Sequence, residues 1–219
     1  MDHQVRILSK TPLNHNVIQF RLEKPENYSF TAGQAIELTV EEPMKYGPGP
    51  FTFTALDSKP YLELMIKIYE DHQGLTSALG KRKEGETVTI GDPWDSFVNK
   101  GPGVFIAGGA GITPFVALLR RMKVDGNIGK SQLLFFNKTH QDIFLREELT
   151  DLLGARYQNI LTREDNGSPK GKLDETVLCR YVTDFSQPFY ICGPPGFIET
   201  AQLLLAKLGA KEETVNVSF

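Results

Sequence analysis

The chain has 219 residues, with 24 Lys and Arg against 27 Asp and Glu and a formal net charge of −3. That near balance gives no electrostatic reason to expect nucleic acid or an anionic membrane as partner. Hydrophobic residues at 40% and charged residues at 23% are ordinary for a globular chain, and the length suits one large domain or two of about 100 residues each.

The first half reads as short strands with apolar alternation: residues 5–10, 17–22, 35–40, 51–56, 62–69 and 87–90. Turn-rich pieces such as Thr31-Ala32-Gly33 and Tyr46-Gly47-Pro48-Gly49-Pro50 separate them. Six short strands with one helix around residues 75–81 predict a small antiparallel β-barrel over residues 1–99. Trp94 is expected in its core. Gly101-Pro102-Gly103 then reads as a hinge, and the pattern changes. Strands at 104–107, 132–137, 159–162 and 189–192 alternate with helices at 114–123, 145–153, 174–182 and 196–208, and the chain closes on residues 214–219. Such alternation predicts an α/β domain with a parallel sheet over residues 100–219.

Candidate chemistry gathers at three turns. The strand Val104–Ala107 ends in Gly108-Gly109-Ala110-Gly111-Ile112-Thr113, and a helix opens on Pro114. Glycines let a backbone approach an anion closely, and the free N–H groups and positive dipole end of a helix N-terminus favour a phosphate. Proline suits the first helical turn, where its missing N–H would go unpaired. The turn carries Gly-x-Gly but not the third small residue of the dinucleotide fingerprint, so a tight turn with no ligand is the plain alternative. A second strand runs into Cys192-Gly193-Pro194-Pro195-Gly196, also at the carboxyl end of a sheet strand, where binding crevices lie. In the first half, Gly74-Leu75-Thr76-Ser77 opens the short helix as another candidate anion site.

Other chemistries lack their residues. His3, His15, His72 and His140 are scattered without metal-ligand spacing, and no Gly-x-Ser-x-Gly elbow or complete Gly-x-x-x-x-Gly-Lys-Ser/Thr phosphate loop appears. Cys179 and Cys192 are too few for a four-thiolate iron–sulfur cluster, which would sit on another protein. Glu147 and Glu148 read as solvated helix charges. No apolar run approaches the roughly 18–20 residues of a membrane span, and Met1-Asp2-His3-Gln4 begins no signal peptide, so a cytoplasmic protein is expected.

Taken in order, Phe30–Gln34, Pro50-Phe51-Thr52, Ile66-Lys67-Ile68, Gly74–Ser77, Gly108–Pro114, Asn137-Lys138-Thr139 and Cys192–Gly196 resemble the ferredoxin–NADP⁺ reductase superfamily. The resemblance implies an N-terminal barrel that binds FAD and a C-terminal domain that binds NADPH or NADH. It places Phe51 against the isoalloxazine and the Thr52 hydroxyl at the reactive flavin edge, with Pro50 beside them. Gly49 stands where the family has a phosphate-binding arginine, a departure that removes a strong bidentate contact. Lys45 is near enough in sequence to offer a point charge instead. Ile66 and Ile68 would line the flavin, with Lys67 solvated, and Gly74, Leu75, Thr76 and Ser77 would receive its pyrophosphate. In the second domain Gly108, Gly109, Gly111, Ile112, Thr113 and Pro114 would hold the nucleotide's pyrophosphate and nicotinamide arm. Cys192, with Gly193 and Pro194, would pack beside the nicotinamide as a positioning group; the plain alternative is a buried residue ending a core strand.

Thr162-Arg163 resembles the pair that holds the extra phosphate of NADPH, and the strand at 132–137 ends in Asn137-Lys138-Thr139, with no carboxylate there to favour a bare ribose. Phe219 resembles the terminal aromatic that shields a flavin face, or is an ordinary docked terminus. The tail has no acid for proton delivery, although Asn216 or Ser218 could offer a hydrogen bond. The expected function is a monomeric flavin reductase passing electrons from NAD(P)H to a protein acceptor, flavodoxin or ferredoxin. The alternatives are a reductase of free flavin or ferric complexes and, from another class, a non-catalytic reductase-fold module with weakened flavin binding.

Overall fold

A computed structural model describes residues 1–40, 47–71, 73–163 and 171–217. Strands β1 (His3–Pro12), β2 (Val17–Glu23), β3 (Gln34–Thr39), β4 (Gly49–Thr52), β5 (Tyr61–Lys67), β6 (Thr87–Ile90) and β7 (Trp94–Asp95) make one antiparallel sheet. Their order is β4-β3-β6-β1-β2-β5, with the two-residue β7 beside β3. The sheet curls until the chain just past β4 meets β5. Phe53 bridges Leu64, and the Thr54 amide donates to the Glu63 carbonyl at 2.9 Å. Six strands thus form the nearly closed barrel expected from the sequence. Trp94 corrects that expectation: it sits on β7 and is 37% exposed, because so short an edge strand leaves its outer face in water. Helix α1 (Leu75–Lys81) buries Leu79 in the barrel core.

The second half contains β8 (Val104–Gly108), α2 (Thr113–Val124), β9 (Gln132–Asn137), α3 (Arg146–Leu153), β10 (Tyr157–Leu161), α4 (Glu175–Tyr181), β11 (Phe189–Cys192), α5 (Pro195–Lys207) and β12 (Val215–Val217). The strands form a parallel sheet in the order β10-β9-β8-β11-β12. Helices cover both faces, so β8 is buried throughout and reads in sequence as one apolar run.

One strand explains how the halves join. On β5, Leu62, Leu64 and Ile66 point into the barrel core. The alternate residues face the second half: Met65 packs in one cluster with Val17, Phe97, Ile112, Phe115, Val116 and Leu119. Strand periodicity of two, with apolar surroundings on both sides, accounts for the nearly unbroken burial of β5. The segment Gly101-Pro102-Gly103, expected as a hinge, is anchored. The Tyr190 hydroxyl donates to the Gly101 carbonyl at 2.8 Å and accepts from the Lys100 amide at 2.9 Å. Its ring stacks on Phe105 at 4.4 Å, and a Cβ on Gly103 would overlap the Pro188 carbonyl.

Candidate functional site

The carboxyl ends of β8 and β11 lie side by side, with Ala107 opposite Cys192. Both strands run into turns, and the turns touch. A Cβ on Gly111 would overlap the Cys192 carbonyl and stand 2.6 Å from the Gly193 amide nitrogen. A Cβ on Gly108 would press on the Phe197 ring at 3.1 Å and Pro194 at 3.2 Å, and one on Gly193 would meet Phe197 at 2.8 Å. Gly109 differs: it holds φ +56°, a left-handed conformation natural to glycine, and has open space where a side chain would be. A 3₁₀ turn, Gly109–Ile112, separates β8 from α2, which opens at Thr113 with Pro114 next in line. The motif is therefore a packed joint between two turns, with open glycines at Gly109 and, where α5 begins, at Gly196.

Cys192 is mostly enclosed. Burial pushes its thiol up to about 12, against a smaller opposing hydrogen bond from the Gly193 backbone. A thiol so raised is neutral through the physiological range, which disfavours nucleophilic attack. Asn216 is engaged, its side-chain amide donating to the Phe189 carbonyl at 3.1 Å and to the Thr214 carbonyl at 3.3 Å. Lys45, His72, Ser218 and Phe219 lie outside the described residues.

A cleft of about 850 Å³ opens between barrel and sheet. From the barrel side Lys67, Ile68, Ser77 and Lys81 line it, and from the sheet side Lys138, Thr139, Asp142 and Arg163. The Thr162 amide donates to the Asn137 carbonyl and the Arg163 amide to the Lys138 carbonyl, which carries the β9–β10 ladder to the cleft edge. Arg163 is exposed there. Two sequence expectations change at this cleft, those for Lys67 and Ile66. Lys67 is not solvated: its ammonium lies 3.8 Å from Asp142, across the junction, and its side chain is 17% exposed. Asp142, three residues past Thr139, brings a carboxylate to the cleft. Burial opposes its ionisation, but the Thr139 hydroxyl and amide, with Lys67 and His15, hold it below the usual carboxylate range. Ile66 faces the barrel interior at 2% exposure, so its side chain does not line the cleft; Ile68, one strand period on, does.

On the barrel, Phe51 and Thr52 end β4, paired with Ile36 and Ala35 of β3. Both are half-buried, and Pro50 is exposed. At Gly49 a Cβ would stand 2.7 Å from Leu75, the first residue of α1, so a side chain there must displace Leu75. Gly74, just before it, has open space, and Ser77 is buried within α1. The residues present fit a dinucleotide: open backbone at Gly74 and Gly109, four cationic side chains along the cleft, and the buried side-chain oxygen Oδ1 of Asn137 without a hydrogen-bond partner.

Sequence reasoning missed one feature altogether. Glu148, expected as a solvated charge, accepts a fork from Arg120, from Nε at 2.6 Å and Nη2 at 2.8 Å. Arg120 Nη1 also donates to Glu63 on β5 at 2.8 Å. The available signal was Glu63 itself, a carboxylate inside the apolar run Tyr61-Leu62-Glu63-Leu64-Met65-Ile66. Among the described residues, no group of His, Cys, Asp and Glu could hold a metal ion, and no helix is long and apolar enough to cross a membrane.

A barrel with an open turn at Gly74 thus packs against a parallel sheet with an open turn at Gly109, and the comparisons with known proteins give this pair its class, a dinucleotide oxidoreductase. Residues 3–98 match the model of an FAD-binding domain, and residues 105–203 that of an oxidoreductase NAD-binding domain. Human NADH-cytochrome b5 reductase 1 is 30% identical over 240 residues, spanning 90% of this chain and 78% of the relative. The reductase component of propane 2-monooxygenase from Rhodococcus jostii (strain RHA1) is 25% identical across 98% of this chain; the chain spans 62% of that relative's length. In fold, the ferredoxin NADP⁺ reductase of Neisseria gonorrhoeae with bound FAD and NADP aligns at a TM-score of 0.86, with 20% identity, over 99% of this chain and 98% of that one. The cytochrome b5 reductase domain of Ulva prolifera nitrate reductase gives 0.87 with 21% identity, over 100% and 97%. The chain belongs to the ferredoxin–NADP⁺ reductase and cytochrome b5 reductase superfamily, as a flavin- and NAD(P)H-dependent oxidoreductase.

Proposed function

We propose that this chain takes electrons from NADPH or NADH and delivers them through FAD to a separate redox protein, with a flavodoxin or ferredoxin as the expected acceptor. The observation that carries the reading is the cleft, where the ends of β5 and α1 face Lys138, Thr139 and Arg163 across one cavity. Bound FAD supplies hydride acceptance from a reduced nicotinamide and onward electron transfer. The protein's own work is placement. Phe51 and Thr52 offer a ring and a hydroxyl at the end of β4, and Gly74 to Ser77 offer an open backbone turn for a pyrophosphate. Gly109 leaves room for the nucleotide's backbone, and the neutral Cys192 thiol packs beside the nicotinamide without competing as a nucleophile. Water exclusion and orientation, rather than acid–base chemistry, are what such a site contributes.

The nucleotide preference leans to NADPH on charge. Arg163, Lys138, Lys67 and Lys81 line the cleft, while the Asp142 carboxylate is already held by Thr139 and faces Lys67, which leaves it poorly placed to accept from a ribose hydroxyl. The names of the cytochrome b5 reductase relatives favour NADH, and titration with each nucleotide decides between them. The acceptors of relatives, a monooxygenase system and cytochrome b5 by their names, make haem and iron–sulfur proteins the partners to try alongside flavodoxin.

The test is spectroscopic. Protein reconstituted with FAD is expected to be yellow and to bleach when NADPH or NADH is added anaerobically. Thr52→Ala should slow bleaching at saturating nucleotide by about 10-fold or more while leaving nucleotide affinity nearly unchanged. A protein that stays colourless with added FAD and oxidises neither nucleotide refutes the reading.

A further inference from the structure

Arg120 stands on α2 seven residues beyond Thr113, about 10 Å along the helix from the glycine turn. Its guanidinium touches three separate elements. Nη1 donates at 2.8 Å to the Thr54 carbonyl and at 2.8 Å to a Glu63 carboxylate oxygen, both in the barrel. Nε and Nη2 close the fork on Glu148 of α3. The Glu63 side chain is only 4% exposed; it also accepts from the Thr54 hydroxyl at 3.0 Å and faces Arg21 at 3.5 Å. Burial by itself would lower the Arg120 guanidinium, but the hydrogen bonds and charges of Glu148 and Glu63 outweigh it, so the group stays cationic.

The placement of these partners matters more than their number. Thr54 lies two residues beyond Thr52, and Phe53 between them is tied to Leu64 on β5. At its other end α2 begins at the turn Gly109–Ile112, which itself abuts β5. The helix thus runs from the nicotinamide turn toward the chain just past Phe51-Thr52, and Arg120, two turns along, fastens it there to Thr54 and to Glu63 of β5. We infer that Arg120 is a positioning residue that sets the distance between the two cofactor half-sites by locking α2 to Thr54 and Glu63. The inference rests on the two-cofactor reading given above. Its physical basis is that a planar fork with five donors can satisfy three acceptors in fixed directions, where an ammonium offers a point charge. Hydride transfer is sensitive to such spacing, since an error of about 1 Å can cost about 100-fold in rate.

The experiment uses the full-length protein loaded with FAD and three variants: Arg120→Lys, Glu63→Gln and the double Arg120→Gln/Glu63→Gln. The double variant removes the Arg120 charge together with that of its buried partner Glu63, so that the carboxylate left unpaired is the half-exposed Glu148 and folding is protected. Anaerobic stopped-flow at saturating nucleotide should show flavin reduction slowed about 10-fold or more in Arg120→Lys and the double variant. The nucleotide KM should stay within about 3-fold of wild type, and Glu63→Gln, which keeps the hydrogen-bond geometry, should recover most of the rate. Scanning calorimetry of the flavin-free proteins supplies a readout independent of turnover. Wild type should melt in one transition, and the double variant in two, as barrel and sheet uncouple. Wild-type rates and a single transition in Arg120→Lys and the double variant would overturn the positioning role. Wild-type protein that takes up no flavin would instead overturn the two-cofactor reading and the half-site spacing with it, while the calorimetry would still show whether Arg120 couples the domains.

Discussion

Gly111 and Gly74 look alike in sequence, each a glycine in a turn ahead of a helix, yet the structure uses them differently. Gly111 is walled in by the Cys192 carbonyl and the Gly193 amide, so its missing side chain is a packing requirement. Gly74 has extended backbone, φ −114°, with open space around it, so nothing in the fold demands a glycine there. The first belongs to the joint between two sheet strands, the second to a surface left clear. A glycine turn therefore signals a ligand only where the space it leaves is empty, and Gly74 and Gly109 meet that condition where Gly108, Gly111 and Gly193 do not.

The contrast can be broken in descending order of effect. Gly111→Ala should destabilise the protein by about 3 kcal/mol, seen as a lower thermal midpoint, because the overlap is with backbone that cannot step aside. Gly74→Ala should leave the midpoint within about 0.5 kcal/mol of wild type while weakening FAD retention in dialysis. Equal losses of stability in both would erase the distinction. A smaller effect is expected at the cleft, where Asp142 sits below the usual carboxylate range. A depressed folded value contributes stability above the unfolded value of about 3.9, and that stability is lost as pH falls through the lower folded value. Asp142→Asn should therefore lower the neutral plateau of the thermal midpoint and flatten its acid limb, so that variant and wild type converge as pH falls through the folded value. The least effect concerns Cys192: with its thiol pushed up to about 12, iodoacetamide at pH 8 should label the exposed Cys179 and spare Cys192, as peptide mapping would read.

Local pattern made the elements legible. β9 and β11, fully apolar runs ended by polar or glycine residues, and α1, opened by Gly74 and closed at Lys81, fall where periodicity and turn residues put them. Contacts between the halves were not legible, because they depend on which face of a strand meets which helix. Lys67 and Glu148 carry charges that sequence alone assigns to water, yet each finds a partner across a packed surface: Asp142 for one, Arg120 for the other. Trp94 failed for the opposite reason, as a large ring on an edge strand too short to cover it. At the site, the turns were readable as motifs, while the division between packing glycines and open ones needed the neighbouring backbone.

The clasp of Tyr190 on the linker has a bearing on traffic through the site. Its hydroxyl holds residues 100 and 101 against the sheet while Arg120 holds α2 against the barrel. For the halves to swing apart, the chain would have to release both grips. If the cleft takes the nucleotide as proposed, it would serve as a fixed doorway, and the pace of exchange would be governed by the charges on its rim, with added salt slowing arrival more than departure.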